Sequence, residues 1–307
     1  MNEYHIPVLL KESIDYLITE KDGIYFDATL GFGGHSEEIL KRTGKESLLV
    51  STDVDNKAFN FTKNKFMEEK RIKIYNFNFN QIDIISKIES IGSYNGIIAD
   101  LGVSSYQIDD AEAGFTYRKE SKLDLRMDKK KVISANDVVN SFSEEDLQKI
   151  FYDYGEEKNS RRIAREIVKR RTVKKIETTK DLSNIISELT PPKYLTKTLS
   201  RVFQALRIYV NEELSNLKLF IEKSVSLLKE SGRLVIISYH SLEDRIVKES
   251  FKYEELDCIC PKDFPVCRCN KDQRLRILTR KPLTPSLEEI KFNRRARSAK
   301  MRAAERV

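Results

Sequence analysis

Short apolar runs, each closing on a polar or acidic residue, alternate with amphipathic stretches along the first hundred positions. Gly23-Ile-Tyr-Phe26 closes on Asp27, Ser47 to Thr52 on Asp53, and Asn95-Gly-Ile-Ile-Ala on Asp100, while Arg71 to Tyr75 runs into Asn76. Between them lie Glu37 to Arg42, Asn56 to Glu69 and Ile82 to Ile91, whose lengths and apolar spacing predict helices. Ser13 to Thr19 predicts one more, with Ile14, Leu17 and Ile18 on one side. Strands that alternate with helices in this way predict a mostly parallel sheet in an α/β domain.

From about Ile108 the rhythm changes. No strand-like run appears before Leu234, and helical stretches dominate: Ser143 to Tyr152, Ser160 to Arg171, Thr179 to Glu188 and Lys197 to Asn211. Ser143 and Asp146 have the spacing of a capping box, and Pro191-Pro192 breaks the series. The region is too long for a crossover loop, so it reads as an inserted all-helical domain over 108–209. The α/β domain is then discontinuous, 1–107 with 210–307. Leu214 to Lys229 predicts a long helix ended by Gly232, and Arg233 to Ser238 a fifth strand. Glu243 to Tyr253 predicts a helix and Leu275 to Leu278 a last strand. The basic tail from Asn293 reads either as a disordered RNA-binding arm or as a folded segment that returns to the domain.

Chemistry concentrates on the loop Asp27-Ala-Thr-Leu-Gly-Phe-Gly-Gly-His35-Ser36 between the first strand and its helix. Gly31, Gly33 and Gly34 permit close backbone approach, as in nucleotide-binding α/β folds. Asp53, with Asp55 two residues on, stands where an acid can accept from ribose hydroxyls. A pyrophosphate would be repelled by Asp27, whereas an adenosyl ligand that carries an amino acid brings an ammonium. The loop therefore favours S-adenosylmethionine over NAD. Ligands of open α/β sheets bind outside the carboxyl ends of the strands, and Asp27, Asp53 and Asp100 share that rim. Phe79 could stack on an adenine or pack under the sheet.

With 307 residues and 40% hydrophobic positions, the chain can bury a sizeable core. No stretch is apolar for long enough to span a bilayer, and Met1 to Leu10 lacks a cationic start, so no membrane partner and a cytoplasmic location are expected. Of the net charge of +7, most lies in 108–209, where 22 Lys or Arg face 17 Asp or Glu, a balance of +5. Arg161, Arg162, Arg165, Lys169, Arg170 and Arg171 form a stripe that could track phosphates or simply be a solvated helix face. Cys258-x-Cys260 and Cys267-x-Cys269 could hold structural zinc or stand as free thiols; the gaps are tighter than the usual zinc spacing. Neither reading makes them catalytic, and no metal is expected in the reaction.

Several strings resemble the signatures of the MraW family of bacterial small-subunit ribosomal RNA (cytosine-N4)-methyltransferases. They are His5-Ile-Pro-Val-Leu-Leu10, the loop from Asp27 to Ser36, Asp100-Leu-Gly-Val-Ser-Ser105, Arg126-Met-Asp128, Ile237-Ser-Tyr-His-Ser-Leu-Glu-Asp244 and Asn293-Arg-Arg-Ala-Arg-Ser-Ala299. The resemblance covers nearly the whole chain. It implies a class I S-adenosylmethionine-dependent methyltransferase fold, Rossmann-like and mostly parallel, interrupted by a helical domain that helps bind RNA. It implies S-adenosylmethionine as donor and a cytidine of the 16S decoding centre as acceptor; an assembled or nearly assembled 30S particle is the expected form of that partner, with free RNA the alternative. Donor contacts carried over by motif are Gly33, Gly34, His35, Asp53, Phe79, Asp100 and Gln107, beside the Asp27 already read from the loop. The Asn- or Asp-Pro-Pro-Tyr loop of many amino-methylating enzymes is replaced by Asp100-Leu-Gly-Val, which leaves Tyr106 or Tyr239 to stack on the cytosine. Asp100 is the expected catalytic acceptor of an amine N–H. Rival readings are a small-molecule methyltransferase, a non-enzymatic ribosome-binding protein and, more remotely, a nicotinamide oxidoreductase.

Overall fold

The computed structural model describes residues 7–102, 114–261 and 266–307. The chain separates into two compact units, one formed by residues up to 102 with 214–307, the other running to 213 with its described part starting at Gly114.

The first unit is built on seven strands. These are β1 (Ile24–Asp27), β2 (Leu48–Thr52), β3 (Ile72–Tyr75), β4 (Tyr94–Asp100), β5 (Leu228–Ser238), β6 (Leu275–Ile277) and β7 (Lys300–Arg306). Their order across the sheet is β3-β2-β1-β4-β5-β7-β6. Strands β1 to β5 pair in parallel, and β7 lies antiparallel to both β5 and β6. This is the class I methyltransferase fold, with strand order reversing beside β1.

Side-chain alternation divides the sheet between two apolar layers. Phe26, Val50, Ile97, Ala99, Leu234 and Ile236 join one cluster, which Leu217, Phe220, Ile221 and Val225 cover from the helix Glu213–Leu227. Tyr25, Leu49, Ile98, Val235 and Ile237 join the other, covered by Ile14 and Leu17 of α1 (Leu10–Leu17) and Ile39 and Leu40 of α2 (Gly34–Arg42). Both faces are buried, which is why these strands read as continuous apolar runs.

Two expectations need correction. The long helix ends at Leu227, and β5 begins there rather than at Arg233. Leu228 pairs with Tyr94, and the register then shifts before Gly96 meets Arg233, so a bulge absorbs the polar residues that had read as a helix end. Nor is Leu275–Ile277 the last strand. The basic tail folds back, and Met301, Ala303 and Ala304 are fully buried in β7 between β5 and β6. Small apolar residues between charges do not announce a central strand; here Arg302 is accommodated by its ion pair to Asp244 at 2.7 Å, with Lys300 on the same carboxylate at 3.2 Å.

The described part of the second unit has its own apolar core. Its helices are Ala135–Ser141, Glu144–Asp153, Ser160–Arg171, Thr179–Leu189 and Pro192–Asn211. Ser134, Ser143 and Thr178 cap three of them, each accepting a backbone N–H from the residue three on. Pro192 starts the last helix rather than breaking a series, since its missing N–H would have had no partner in a first turn.

Candidate active site

Three carboxylates stand at the carboxyl ends of three adjacent parallel strands. Asp27 closes β1, Asp53 follows β2 and Asp100 closes β4, with β1 between the other two. Asp27 is the most enclosed, at 1% exposure. Its Oδ2 accepts from Ser36 Oγ at 2.6 Å and its Oδ1 from the Thr29 N–H at 3.1 Å, so it ties the start of the loop to the start of α2. Asp53 accepts the Gly31 N–H at 2.8 Å and the Asp55 N–H at 2.8 Å. Asp100 donates its backbone N–H to Thr29 Oγ1 and accepts the Tyr239 hydroxyl at 2.7 Å.

The loop thus binds all three acids, two of them through Thr29 and Ser36, which its glycine spacing did not reveal. Asp55 in turn caps the helix Asn56–Lys65 through the Lys57 N–H. The glycines serve different ends. Gly33 has φ 79°, and a Cβ there would lie 2.6 Å from the Phe66 ring; one on Gly34 would lie 2.2 Å from Pro7. Gly31 also has positive φ but open space beside it, with nothing nearer than Thr29 O at 3.9 Å. Only Gly31, of the three, leaves a free approach to its α-carbon.

His35 is buried in the first turn of α2. Its Nε2 lies 3.3 Å from Val8 O and its Nδ1 3.9 Å from Asp100 Oδ2. On the other side of Asp100, Tyr239 lies against Gly102, where an added Cβ would meet the ring at 3.3 Å. Buried Glu243 accepts the N–H groups of Tyr239 at 2.8 Å and His240 at 3.3 Å, which fixes the turn into the helix Ser241–Glu255. Phe79 opens the short 3₁₀ turn Phe79–Gln81, half-buried, with its ring edge-on to Phe220 at 5.1 Å. Gln107, Tyr106 and the His5 end of the first string lie outside the described residues.

Electrostatically the rim is overloaded. Among the described residues no Lys or Arg pairs with Asp27, Asp53 or Asp100. Burial pushes Asp27 above its ordinary range, against the bonds from Ser36 and Thr29. Burial also raises Asp53 to about 6, with the charges of Asp55 and Asp27 adding to it. Asp100 is raised to about 7 by burial, and the negative charges of Asp27, Glu243 and Glu289 add to this while the Tyr239 bond opposes it. Glu289 was not anticipated from sequence; it reaches this end of the sheet by accepting the Leu9 N–H from 280 residues away. Such a cluster holds protons at neutral pH or favours a cation.

Residues 2–307 match the model of the MraW methylase family. The chain belongs to that family. It is an S-adenosylmethionine-dependent methyltransferase. The family's relatives include proteins named ribosomal RNA small subunit methyltransferase H. The one from Caldicellulosiruptor saccharolyticus is 51% identical over 304 residues, with 99% of each chain covered. That of Clostridium botulinum (strain Loch Maree) is 48% identical over 305 residues, with 99% of each covered. That of Fusobacterium nucleatum is 46% identical over 307 residues, covering 100% of this chain and 98% of its own. Among solved structures an rRNA methylase of Streptococcus thermophilus superposes at TM-score 0.41 and 11% identity, covering 97% of this chain and 93% of its own. The fold assignment rests on the strand order above, not on that superposition.

Some of the family strings turn out to be scaffold. Arg126 binds Asp124 and the Lys131 carbonyl, and the Met127 N–H donates to the Asn211 side chain, whose amide donates to Leu125 O. The strings Ile237–Asp244 and Asn293–Ala299 meet through Asp244 and the strand that follows the second string.

Proposed function

We propose that this member of the family transfers a methyl group from S-adenosylmethionine to the exocyclic N4 of a cytidine in the decoding centre of 16S ribosomal RNA. Its substrate is an assembled or nearly assembled 30S particle in the cytoplasm. The names of its relatives support ribosomal RNA as the acceptor. The observation that supports the donor assignment is the trio of enclosed carboxylates that, among the described residues, no Lys or Arg pairs with. A donor with a sulfonium and an ammonium brings the missing positive charge, whereas a phosphate-bearing nucleotide would add to the repulsion.

In this reading Gly33, Gly34 and His35 carry the donor's amino-acid end; Asp27, expected from sequence to touch the donor, is enclosed and held by Ser36 and Thr29, so it supplies field and loop shape instead. Asp53 accepts from the ribose, Phe79 lies along the adenine, and Gln107 completes the set. Bound donor supplies an electrophilic methyl; the protein's part is to aim the amine at it in line. The cytosine leaves its stack to reach the rim. Its N4 lone pair is delocalised into the ring, and a carboxylate that accepts one N–H localises it and stabilises the charge that develops. Asp100 takes this role, with Tyr239 as a positioning residue that donates to its Oδ1. Tyr239, beside Asp100, is also the candidate stacking face for the cytosine. The helical unit supplies the phosphate contacts through the exposed arginines of Ser160–Arg171, the role expected of an inserted domain at 108–209.

Mass spectrometry of 16S nucleosides from cells with and without the protein tests the assignment. N4-methylation of one cytidine should vanish in its absence and return with the wild-type chain. Unchanged cytidine modification would sink the substrate assignment. Supplying naked 16S RNA and 30S particles side by side separates the two acceptors: equal rates would remove the particle from the proposal.

A further inference from the structure

Between the helix ending at Glu255 and β6 starting at Leu275 the chain makes an excursion with no helix or strand among its described residues. Among its described residues the large apolar ones stand open to solvent: Leu256, Ile259 and Val266 are 45%, 48% and 66% exposed. Four cysteines converge there. The sulfurs of Cys258, Cys260, Cys267 and Cys269 all lie within 4.8 Å of one another. Cys258 Sγ is 3.5 Å from Cys267 Sγ and 3.8 Å from Cys269 Sγ, and Cys267 and Cys269 are 3.5 Å apart.

We propose that these four cysteines form a closed tetrathiolate site for one zinc ion, which staples the excursion. A tetrahedral zinc with bonds of about 2.3 Å to sulfur separates its ligands by roughly 3.8 Å along each edge. The observed separations are of that size. A disulfide would bring two sulfurs to about 2.05 Å and leave the second pair free to move apart; all four cysteines here are free thiols.

The backbone is arranged for thiolates as well. The Cys260 N–H donates to Cys258 Sγ at 3.4 Å, the Ile259 N–H to Cys269 Sγ at 3.4 Å, and the Arg268 N–H to Cys260 Sγ at 3.3 Å. Such bonds orient metal-binding sulfurs and favour their charged form. Each C-x-C pair turns tightly enough to offer two ligands, and the two pairs approach from opposite arms of the excursion. Four soft ligands with no oxygen among them select zinc over magnesium or calcium, and a full set leaves no position for water or substrate. The site is therefore structural. Lys271 and Arg274 join the excursion to Glu254 at the end of the helix that starts at Ser241, at 3.7 Å for Lys271.

The test uses the full chain purified without chelators. Elemental analysis should find one zinc per chain, and cobalt exchange should give the sulfur-to-metal charge-transfer bands of a tetrahedral thiolate site. The Cys258→Ser, Cys267→Ser double variant should lose the metal. Should that variant fold poorly, wild-type protein stripped with a zinc chelator gives the second readout: proteolysis within 256–274 should quicken about tenfold and be reversed by added zinc. Intact mass under non-reducing, denaturing conditions closes the alternatives. A mass lower by about four hydrogens would replace zinc with two disulfides. Four free thiols that retain no zinc after equilibration with one equivalent would overturn the proposal.

Discussion

In the proposed role Asp100 would meet two opposing demands, since enclosure favours its neutral form and accepting an amine N–H calls for its charged one. With the carboxyl raised to about 7, the free enzyme is charged above that pH and protonated below it. The rate at limiting donor should therefore fall as pH drops through about 7, and saturating cationic donor should move that midpoint downward; a pH profile at both donor levels checks this. Asp100→Asn keeps the size and one acceptor oxygen but removes the charge. Single-turnover transfer at saturating donor and RNA should drop roughly 100-fold or more, with RNA affinity little changed. A near-normal rate would leave Asp100 as a donor-positioning group. Tyr239→Phe removes a bond that favours the charged carboxylate, so the acidic limb should shift to higher pH. An unmoved limb would reduce Tyr239 to a ring packed on Gly102. Stability follows the opposite sign. Because the folded carboxyl holds its proton longer than the unfolded one, its contribution is full below the unfolded range near 4 and lost as pH rises through about 7. Melting of the donor-free protein should therefore lose this contribution over that window, and added donor should restore more stability at pH 8 than at pH 5.

In the glycine loop, the element decides which substitutions matter. Gly33→Ala meets both a left-handed backbone and the Phe66 ring, and should lower the denaturation midpoint by about 1–2 kcal/mol of stability. In the helix Ser160–Arg171 the six basic residues of the sequence stripe divide by the groups they touch. Arg161, Arg162 and Lys169 are exposed. Arg165 faces Glu144 at 3.5 Å, and Arg170 pairs with Glu166 at 2.7 Å and with Glu188. Arg171 instead donates to the carbonyls of Val139 at 2.7 Å and Phe142 at 2.6 Å. Neutralising Arg161 and Arg162 should reduce the salt slope of RNA binding by roughly 0.7–0.9 for each phosphate that loses its cation, and spare donor affinity. Arg171→Gln should cost about 1–3 kcal/mol of stability and leave that slope alone. An unchanged slope in the first variant would make the stripe a solvated face.

Over the whole molecule, the last strand is central rather than terminal. Deleting 300–307 would uncover β5 on one side and β6 on the other and remove Lys300 and Arg302, which pair with Asp244. The shortened chain should be recovered unfolded or aggregated, which circular dichroism of the soluble fraction checks. A soluble, donor-binding product would mean that the sheet closes without β7.

Periodicity and strand-end chemistry determined much on their own. The four strands before residue 101, the acids that end three of them and the helix Ser160–Arg171 were legible because each is a local pattern: apolar runs mark buried parallel strands, and a strand's end is where its side chain meets the ligand rim. Tertiary structure alone decided the rest. Met301, Ala303 and Ala304 become a central strand only because β5 and β6 flank them. Thr29, Ser36, Tyr239 and Glu289 join this rim through hydrogen bonds whose partners lie from 9 to 280 residues away, and no spacing rule carries such distances. The division of the arginine stripe has the same cause. Charge is written in the sequence, but whether a guanidinium finds a carbonyl, a carboxylate or water is settled by which helix packs beside it.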